Sequence, residues 1–449
     1  MRGALLTDLY ELNMAASYLR RGMDAPATFS LYVRSLPSRR GFLVAAGLAS
    51  CLGFLEDFGF DAEELGYLGA IGFDDRALED FANVRFYGEV RAVPEGRIVH
   101  GEEPIVEVTA PIAVAQLVET YLLNRITLHT TVASKAARYV LAAEGRDLVD
   151  FAFRRTHGLD AAEAVARGSA IVGFAATSNV EAARRLGLEV AGTMAHSFIE
   201  AFPSEEDAFR AFAEDHPHRT TFLVDTYDTT NGVRNAIETI RALRLSDHIG
   251  VRLDSGNLDQ LARQARTMLD DAGLPHALIF ASGGLDEHEV ADLVRAGAPV
   301  DAFGIGTQLG VSADAPYLDT VYKLVEYDGQ PTMKLSAAKV TAPGRKQIWR
   351  GPSDDGDVLA LADEAGPDGW EPLLETVMVA GQRTRPDPSL DEMRERFAHD
   401  LVAAPAKARR LSHPEHVRVR HSDALTALTH ETRDEALERA GMVEPRGSD

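Results

Sequence analysis

The sequence predicts an α/β fold whose central part is an irregular (β/α) barrel. One observation is a set of seven short β-rich runs, each followed by a helix-like segment, at intervals of 20 to 31 residues. A second is that these runs are continuously apolar, which is typical of parallel strands buried on both faces. Such units fit a barrel better than a single open sheet. The runs are 147–153, 169–176, 189–195, 220–226, 248–254, 276–282 and 300–306.

The segment before the barrel, residues 1–145, is predicted to be an N-terminal α/β domain. Its helices follow the 3.6-residue apolar period, and its strands are bounded by Gly and Pro. The predicted elements are a helix over Leu9–Arg20, a strand over 27–34, an apolar helix from near Phe42, a small β unit over 86–110 and a long helical stretch from Pro111 to Gly145.

The recurring pattern covers residues 146–330, the predicted catalytic barrel, and then breaks. Residues 331–449 are predicted to be a C-terminal α/β extension, because short apolar runs there are separated by Pro, Gly and acidic residues. Its predicted elements are short strands at 332–337 and 346–351, an exposed excursion at 353–372, a charged helix near 389–402 and an acidic helical tail.

Composition narrows the class of protein. The 449 residues include 46 Lys and Arg against 69 Asp and Glu, a net charge of −23. Such a surface is a poor electrostatic match for nucleic acid or an anionic membrane. No apolar run approaches the ~20 residues that cross a bilayer, and Asp8 and Glu11 interrupt any signal-peptide-like apolar run. Cys51 alone cannot form an intrachain disulfide. We expect a soluble cytoplasmic enzyme that binds neither nucleic acid nor membranes.

Polar residues stand at the ends of the predicted barrel strands. In barrels of parallel strands, active groups project from the carboxyl ends of the strands, so these residues are the first candidates for a site. They are Arg154, Arg155, Thr156 and His157; Thr177, Ser178 and Asn179; Thr193, His196 and Ser197; Asp225, Tyr227 and Asp228; Arg252, Asp254 and Ser255; Ser282, Gly283 and Gly284; and Gly306 and Thr307.

The glycines that follow the last two strands have two interpretations. Gly283–Gly284 and Gly306 could expose backbone N–H groups to a phosphate at a helix N-terminus, as barrels commonly do. Alternatively, glycine simply permits a tight turn there. The repetition of the pattern in consecutive units favours a phosphate site.

The charged residues at other strand ends also have more than one interpretation. Arg252 and Asp254 alternate on one strand and therefore share a face, which suits an anionic substrate beside a sugar hydroxyl or Mg²⁺ but also suits a buried structural ion pair. Of Arg154 and Arg155, only one need face a substrate. His196 could be an acid, a base or a phosphoryl acceptor, or a structural histidine.

Eleven blocks, in order over roughly residues 5–350, resemble the nicotinate phosphoribosyltransferases. The blocks are TDLYELNMA (7–15), YVRSLPSRRGF (32–42), PIAVAQLVETYLLNRI (111–126), DFAFRRTHG (150–158), TSNVEAARRLG (177–187), GTMAHSF (192–198), VDTYDT (224–229), RLDSGN (252–257), SGGLDE (282–287), FGIGTQLG (303–310) and the segment 321–350 that ends in KQIWR.

The resemblance implies a type II phosphoribosyltransferase fold, with the C-terminal extension packed near the N-terminal domain. It implies that nicotinate and 5-phosphoribosyl 1-diphosphate condense to nicotinate mononucleotide and diphosphate, in NAD biosynthesis. The reaction would be coupled to hydrolysis of ATP, as in a ligase, and would use Mg²⁺. Family members are commonly homodimers in which Tyr10 and the Arg34 region would enter the neighbour's site.

The resemblance also assigns roles to single residues. His196 would be phosphorylated by ATP, and Asp254 would contact the ribose or Mg²⁺. The nicotinate contacts would be Tyr10, Thr193 and Arg252. The chemistry of nicotinate adds to these, because its flat ring needs an aromatic face, which Tyr10 or Phe153 could supply, and its carboxylate needs a cation, which Arg252 with Arg154 or Arg155 could supply. The phosphate and ribose contacts would be Ser255, Gly283, Gly284, Gly306 and Thr307.

Two positions bear on the choice of substrate. Nicotinamide-using relatives carry a carboxylate near Ser178, whereas a serine hydroxyl can donate to nicotinate. His157 stands, with Thr156, where the family more often has Ala–Gln, and this departure directly follows the two arginines. Three alternatives to nicotinate phosphoribosyltransferase activity remain. The protein could be a phosphoribosyltransferase that uses quinolinate or nicotinamide, a different barrel enzyme that acts on sugar phosphates, or a catalytically silent metabolite-binding protein.

Overall fold

The computed structural model describes residues 3–335, 341–351 and 356–442. They form two compact units. The first combines the described residues up to Thr131 with those from Tyr317 onward, and the second spans Val132–Pro316. The predicted domain boundaries at residues 145 and 330 stay a prediction.

The N-terminal segment contains the elements that the sequence predicted. The helix over Leu9–Arg20 has the predicted bounds, and the strand predicted over 27–34 spans Pro26–Val33, whereas a two-residue strand precedes the helix expected near Phe42. The elements are α1 Leu9–Arg20, β1 Pro26–Val33, β2 Leu43–Val44, α2 Leu48–Asp57, α3 Ala62–Ala70, α4 Asp75–Ala82, β3 Glu89–Ala92, β4 Ile98–Val99, β5 Pro104–Pro111, α5 Ile112–Leu117 and α6 Glu119–Ala143.

The second unit follows α6 with alternating strands and helices. Four of its helices begin at an Asn or Asp whose side chain accepts a hydrogen bond from the first helical turn, namely Asn179, Asp228, Asn257 and Asp286. The elements are β6 Asp147–Asp150, a 3-10 turn Phe153–Arg155, α7 Leu159–Ile171, β7 Ala176–Thr177, α8 Val180–Leu186, α9 His196–Glu200, α10 Glu205–Asp215, β8 Thr220–Leu223, α11 Thr229–Leu243, β9 Ile249–Leu253, α12 Leu258–Asp271, β10 Leu278–Ala281, α13 Glu287–Arg295, β11 Ala302–Ile305 and α14 Thr307–Gly310.

The C-terminal segment is richer in strands than expected. The predicted exposed excursion at 353–372 contains a largely buried strand, and the run predicted as a strand at 332–337 has no regular structure over its described residues 332–335. The elements are β12 Thr320–Tyr327, β13 Gln330–Pro331, β14 Lys346–Arg350, β15 Asp357–Leu361, β16 Glu371–Pro372, β17 Glu375–Val379, β18 Gln382–Arg383, α15 Leu390–Ala403, β19 Arg420–His421 and α16 Asp423–Arg439.

The first unit is built around an antiparallel sheet with strand order β13-β12-β1-β5-β3-β17-β18. The buried strand β1 lies inside the sheet between β12 and β5, and Phe29 on it stacks on Tyr322 of β12 with the ring centroids 4.7 Å apart. β17, a strand of the predicted C-terminal extension, pairs directly with the N-terminal strand β3, and β12, which lies within the span predicted as barrel, pairs with β1. The prediction that the C-terminal extension packs on the N-terminal domain is therefore confirmed.

The second unit contains the parallel sheet, in the order β7-β6-β11-β10-β9-β8, curled as a half-barrel. Five of the predicted runs contain strands. The run 169–176 is wrong as a strand, because its first residues end helix α7; a buried apolar helix and a buried strand have the same local pattern. The run 189–195 contributes a single bridge, between Val190 and Thr177, among the described residues. The predicted irregular barrel is thus confirmed.

Candidate active site

Arg252 lies at the end of β9 and is the centre of a polar cluster. Its Nε donates to the Ser282 hydroxyl at 2.8 Å and its Nη1 to Thr193 Oγ1 at 3.3 Å. Because β9 and β10 are paired in register, the residue that follows β10, Ser282, lies beside the end of β9. The Arg252 side chain is 13% exposed. The guanidinium is therefore held by neutral groups on two sides and retains some access to solvent.

An aromatic ring lies below this guanidinium. The Arg252 Cζ is 5.2 Å from the centroid of Phe151, within the range of a cation–π interaction. Phe151 packs against Phe280 at 5.5 Å. A Cβ at Gly304 would lie 2.7–2.8 Å from both rings, so only glycine leaves room for them. Phe153, which the sequence predicts together with Tyr10 as a face for the nicotinate ring, is exposed in the 3-10 turn.

Asp254 is the anionic partner of Arg252. Its Oδ1 accepts hydrogen bonds from Arg252 Nη2 and from the Ser282 hydroxyl, both at 2.5 Å. Partial burial works to raise the pKa of this carboxyl, but the Ser282 hydrogen bond and the Arg252 charge outweigh burial, and the net pKa is lowered. Asp254 is therefore a carboxylate at neutral pH. Arg252 and Asp254, for which the sequence allowed either a substrate site or a buried structural ion pair, do form an ion pair, and both side chains are partly accessible to solvent.

His196 begins α9 and lies next to this carboxylate. Its Nε2 is 3.9 Å from Asp254 Oδ2, and its Nδ1 is 3.1 Å from Thr226 Oγ1. The imidazole is 39% exposed. One ring nitrogen is thus held by a hydroxyl, while the other faces a carboxylate in an accessible position. This arrangement can support phosphoryl transfer to the ring.

Asp225 adds a second carboxylate to the site. Its Oδ2 accepts from the Ser255 hydroxyl at 2.5 Å and from the Asp254 amide at 3.2 Å. Its Oδ1 is buried and has no hydrogen-bond partner in the described part of the chain. Carboxylate and hydroxyl oxygens are the ligands that Mg²⁺ prefers, and Mg²⁺ sites in phosphate-handling enzymes use one or two carboxylates plus substrate oxygens. The donor set fits Mg²⁺, although no group of three protein ligands occurs within residues 3–335, 341–351 and 356–442.

The glycine loop after β10 packs tightly on this strand end. Gly283 has φ +110° and Gly284 has φ +84°, both in the region that favours glycine. A Cβ on Gly283 would lie 1.9 Å from the Asp254 carbonyl oxygen. Both glycines are exposed, as is Thr307, which follows Gly306 at the end of β11. The two loops therefore present backbone at the carboxyl edge of the same sheet.

The remaining predicted residues of the second unit surround the end of β6. Arg154 and Arg155 are both exposed in the 3-10 turn, and among the described residues their side chains make no hydrogen bond, although the Arg155 amide donates to the Ala152 carbonyl at 2.7 Å. His157 is exposed as well. Ser178, just after β7, is half-buried, and its amide donates to the Asp150 carbonyl at 2.8 Å. Among the described residues, none of these four side chains forms a hydrogen bond or an ion pair with the Arg252 guanidinium.

Tyr10 and Arg34 belong to the first unit. The Tyr10 hydroxyl donates to Glu11 Oε1 at 3.1 Å, while half of its side chain is exposed. Burial, then the charges of Glu119 and Glu11, raise the pKa of Tyr10, so its phenol is neutral. Burial and Glu11 also raise the pKa of Glu119 to about 7. Arg34 Nη1 lies 3.4 Å from Asp319 Oδ1.

The buried carboxyl of Asp150 predicts a specific pH dependence of stability. Burial raises its pKa from 3.8 to about 6, although it accepts hydrogen bonds from the Ala152 amide at 2.8 Å and the Thr177 hydroxyl at 2.7 Å. Because the pKa of Asp150 is higher in the folded than in the unfolded state, its favourable contribution to the free energy of unfolding is fully present below pH ~4. That contribution is lost as the pH rises through ~6. The loss corresponds to about 3 kcal/mol of unfolding free energy.

Denaturant unfolding of the wild type and of Asp150→Asn between pH 4 and 8 measures this contribution. We expect the free-energy difference between the two proteins to change by about 3 kcal/mol across that window, in favour of the asparagine variant at higher pH. Parallel pH profiles for the two proteins would contradict it.

Comparison with known proteins places the chain in one family. Models of the nicotinate phosphoribosyltransferase N-terminal domain, of the family itself and of its C-terminal domain match residues 5–127, 147–356 and 367–429. The nicotinate phosphoribosyltransferase pncB2 of Mycobacterium tuberculosis is 48% identical over 98% of this chain and 97% of its own length. The chain belongs to the nicotinate phosphoribosyltransferase family.

Other members of the family agree with this result. The nicotinate phosphoribosyltransferase of Bacillus subtilis is 42% identical over 80% of this chain and 76% of its own. The crystal structure of the human nicotinic acid phosphoribosyltransferase has a TM-score of 0.86, with 31% identity over 95% of this chain and 99% of that one. The fold found here is thus that of the family.

Four residues of the cluster had no role assigned from the sequence: Phe151, Ser282, Asp225 and Thr226. Ser282 and Asp225 do stand at predicted strand ends, and that position was the available signal. The role of Phe151 depends on the turn that begins two residues later, and the contact of Thr226 with His196 joins positions 30 residues apart. Local patterns carry no signal for these two contacts.

In the described residues, none of the helices has the length and apolar character that crossing a bilayer requires.

Proposed function

We propose that the chain transfers the phosphoribosyl group of 5-phosphoribosyl 1-diphosphate to the ring nitrogen of nicotinate, forming nicotinate mononucleotide and diphosphate for NAD biosynthesis. The observation that carries this proposal is the Arg252 cluster, in which a partly exposed guanidinium lies over an aromatic ring and beside a carboxylate. Nicotinate is a flat ring with one carboxylate. It therefore needs an aromatic surface and a cationic or hydroxyl donor, and Phe151, Arg252 and Thr193 supply these groups.

The phosphoribosyl half of the reaction is assigned to the neighbouring strand ends. The exposed backbone at Gly283 and Gly284 and the half-buried Gly306 suit phosphate oxygens, with Thr307 and Ser255 as hydroxyl donors. Asp225, Asp254 and Ser255 would hold Mg²⁺, which when bound neutralises charge on the diphosphate. The Asp254 carboxylate would also contact the ribose and stabilise positive charge that develops on the sugar.

We further propose that ATP phosphorylates His196. The accessible Nε2 and the Thr226 hydroxyl at Nδ1 support this role. A phosphoryl group carries about −1.5 to −2 charges. It would therefore change the field at Asp254 and at the diphosphate. We also infer that the protein is a cytoplasmic homodimer, in which Tyr10 and the Arg34 region of one copy contribute to the site of the other. Arg154 or Arg155 would be an additional cation that faces the substrates.

Product formation tests the reaction directly. The purified protein is incubated with 5-phosphoribosyl 1-diphosphate, Mg²⁺ and nicotinate, nicotinamide or quinolinate, each with and without ATP, and products are separated by chromatography. We expect nicotinate mononucleotide, formed faster with ATP. Product from another base only would overturn the substrate assignment, and no product from any base would favour a silent metabolite-binding protein.

Ser178 offers a test of base selection. The variant Ser178→Asp places a carboxylate beside the proposed nicotinate site, and like-charge repulsion of about 2 kcal/mol should lower kcat/KM for nicotinate about thirtyfold. Ser178→Asn is the matched neutral control and should lose far less. Steady-state kinetics with nicotinate and nicotinamide check this prediction. Equal losses in both variants would show that size, not charge, matters at this position.

A further inference from the structure

A buried cluster of ions lies on helix α6, outside the site described above. Lys135 Nζ donates to Glu287 Oε2 at 2.6 Å and is 3.1 Å from Asp314 Oδ1. Arg138 Nε donates to Glu287 Oε1 at 2.7 Å and is 3.7 Å from Asp314 Oδ2. All four side chains are at most 5% exposed, and their charges balance.

The two acids of this cluster come from two different loops. Glu287 begins α13 and follows Gly283–Gly284 closely in the chain. Asp314 follows α14, the short helix that Thr307 begins. Both acids are thus held by cations on the same turn of α6. The cluster connects the two glycine loops to one rigid element.

A neutral hydrogen bond adds to this connection. The Tyr139 hydroxyl, fully buried on α6, donates to the Leu285 carbonyl at 3.0 Å. Leu285 lies one residue beyond Gly284. On the other side, the Ser282 amide donates to the Leu253 carbonyl at 2.8 Å. The exposed pair of glycines is therefore fixed at both ends.

Stability alone gives little reason for this arrangement. Replacing a buried ion cluster by apolar residues of similar volume is often neutral or stabilising, because desolvation offsets the attraction between the charges. Buried charges with fixed partners do, however, define one geometry. A loop that presents backbone N–H groups to phosphate oxygens depends on such geometry, since small displacements weaken the contact.

We propose that Lys135, Arg138 and Tyr139 are positioning residues that set the spacing of the Gly283–Gly284 and Gly306–Thr307 loops for 5-phosphoribosyl 1-diphosphate. This inference rests on the proposed function. None of the three touches a substrate; each acts through Leu285, Glu287 or Asp314. Weakening the cluster should therefore impair binding of the phosphorylated substrate and spare nicotinate.

The test uses Tyr139→Phe, which removes one hydroxyl from the full-length protein. We expect KM for 5-phosphoribosyl 1-diphosphate, and its Kd by calorimetry, to rise about five- to tenfold, with KM for nicotinate within about twofold. Tyr322→Phe is the matched control, because its buried hydroxyl donates to the Ala115 carbonyl at 2.8 Å in the first unit. It should lower Tm by a similar amount and leave both KM values unchanged.

Further measurements separate the positioning role from a purely structural role, and both from a failure of the proposed function. Asp314→Asn, which weakens the link to the second loop, should raise the same KM and Kd in the same direction. Unchanged Kd values in both variants, or equal increases in both KM values, would overturn the positioning role. Failure of the wild type to bind 5-phosphoribosyl 1-diphosphate would instead overturn the proposed function.

Discussion

Replacing Arg252 by alanine is expected to lower kcat/KM for nicotinate about a thousandfold. Truncating one partner of a hydrogen-bonded charge pair commonly costs 2–5 kcal/mol or more, and about 4 kcal/mol corresponds to that factor. Three contacts made by this guanidinium are lost together, those with Ser282, Thr193 and Asp254. The Asp254 carboxylate is also left without its cation, close to a substrate that is itself an anion.

The neutral base nicotinamide makes this prediction specific. If the guanidinium pairs with the nicotinate carboxylate, Arg252→Ala should lower the ratio of kcat/KM for nicotinate to that for nicotinamide, because only the acid loses an ion pair. Arg252→Lys keeps the charge without the planar fork and should fall between the wild type and alanine. Arg184→Ala, an exposed arginine paired with Glu181, is the control and should not change the kinetics. An unchanged ratio in Arg252→Ala would mean that the residue is structural.

Local sequence patterns predicted the elements that are decided locally. The bounds of α1 agree with its apolar period, and the parallel order of the barrel strands was expected from their continuous hydrophobicity. The same reasoning failed at residues 169–176, where the buried residues Ser169, Ala170 and Ile171 are compatible with a helix as well as a strand. Pairing of β17 with β3 joins residues almost 300 apart, and no local pattern specifies such a contact.

In the candidate site, too, some features follow from local sequence and others from pairing between distant strands. The strand-end position and the alternation on β9 were enough to select Arg252, Asp254 and His196. Their partners depend on the register between strands: Ser282 reaches Arg252 because β10 pairs with β9 in register. Which aromatic ring lies under the guanidinium depends on the 3-10 turn at Phe153, so the choice between Phe151 and Phe153 is a tertiary property.

Replacing His196 by alanine is expected to abolish stimulation by ATP while slow, ATP-independent formation of nicotinate mononucleotide remains. The rate ratio with and without ATP should fall to about one, because the phosphoryl acceptor is missing while the Arg252 and Phe151 contacts are intact. We also predict which nitrogen reacts. When Nδ1 carries the ring proton and donates it to the Thr226 hydroxyl, 3.1 Å away, Nε2 keeps its lone pair, and we expect phosphorylation there.

Labelling with γ-phosphate-labelled ATP measures this step without turnover of nicotinate. The wild type should acquire an acid-labile, base-stable label, and His196→Ala should acquire none. His218→Ala is the matched control, an exposed histidine of the same unit whose Nδ1 lies 3.6 Å from Asp247 Oδ2; it should be labelled and stimulated like the wild type. Thr226→Val should reduce the rate of labelling without abolishing it, because the ring loses its orienting hydroxyl but keeps its nucleophile. Stimulation of His196→Ala by ATP equal to that of the wild type would place the coupling on another residue.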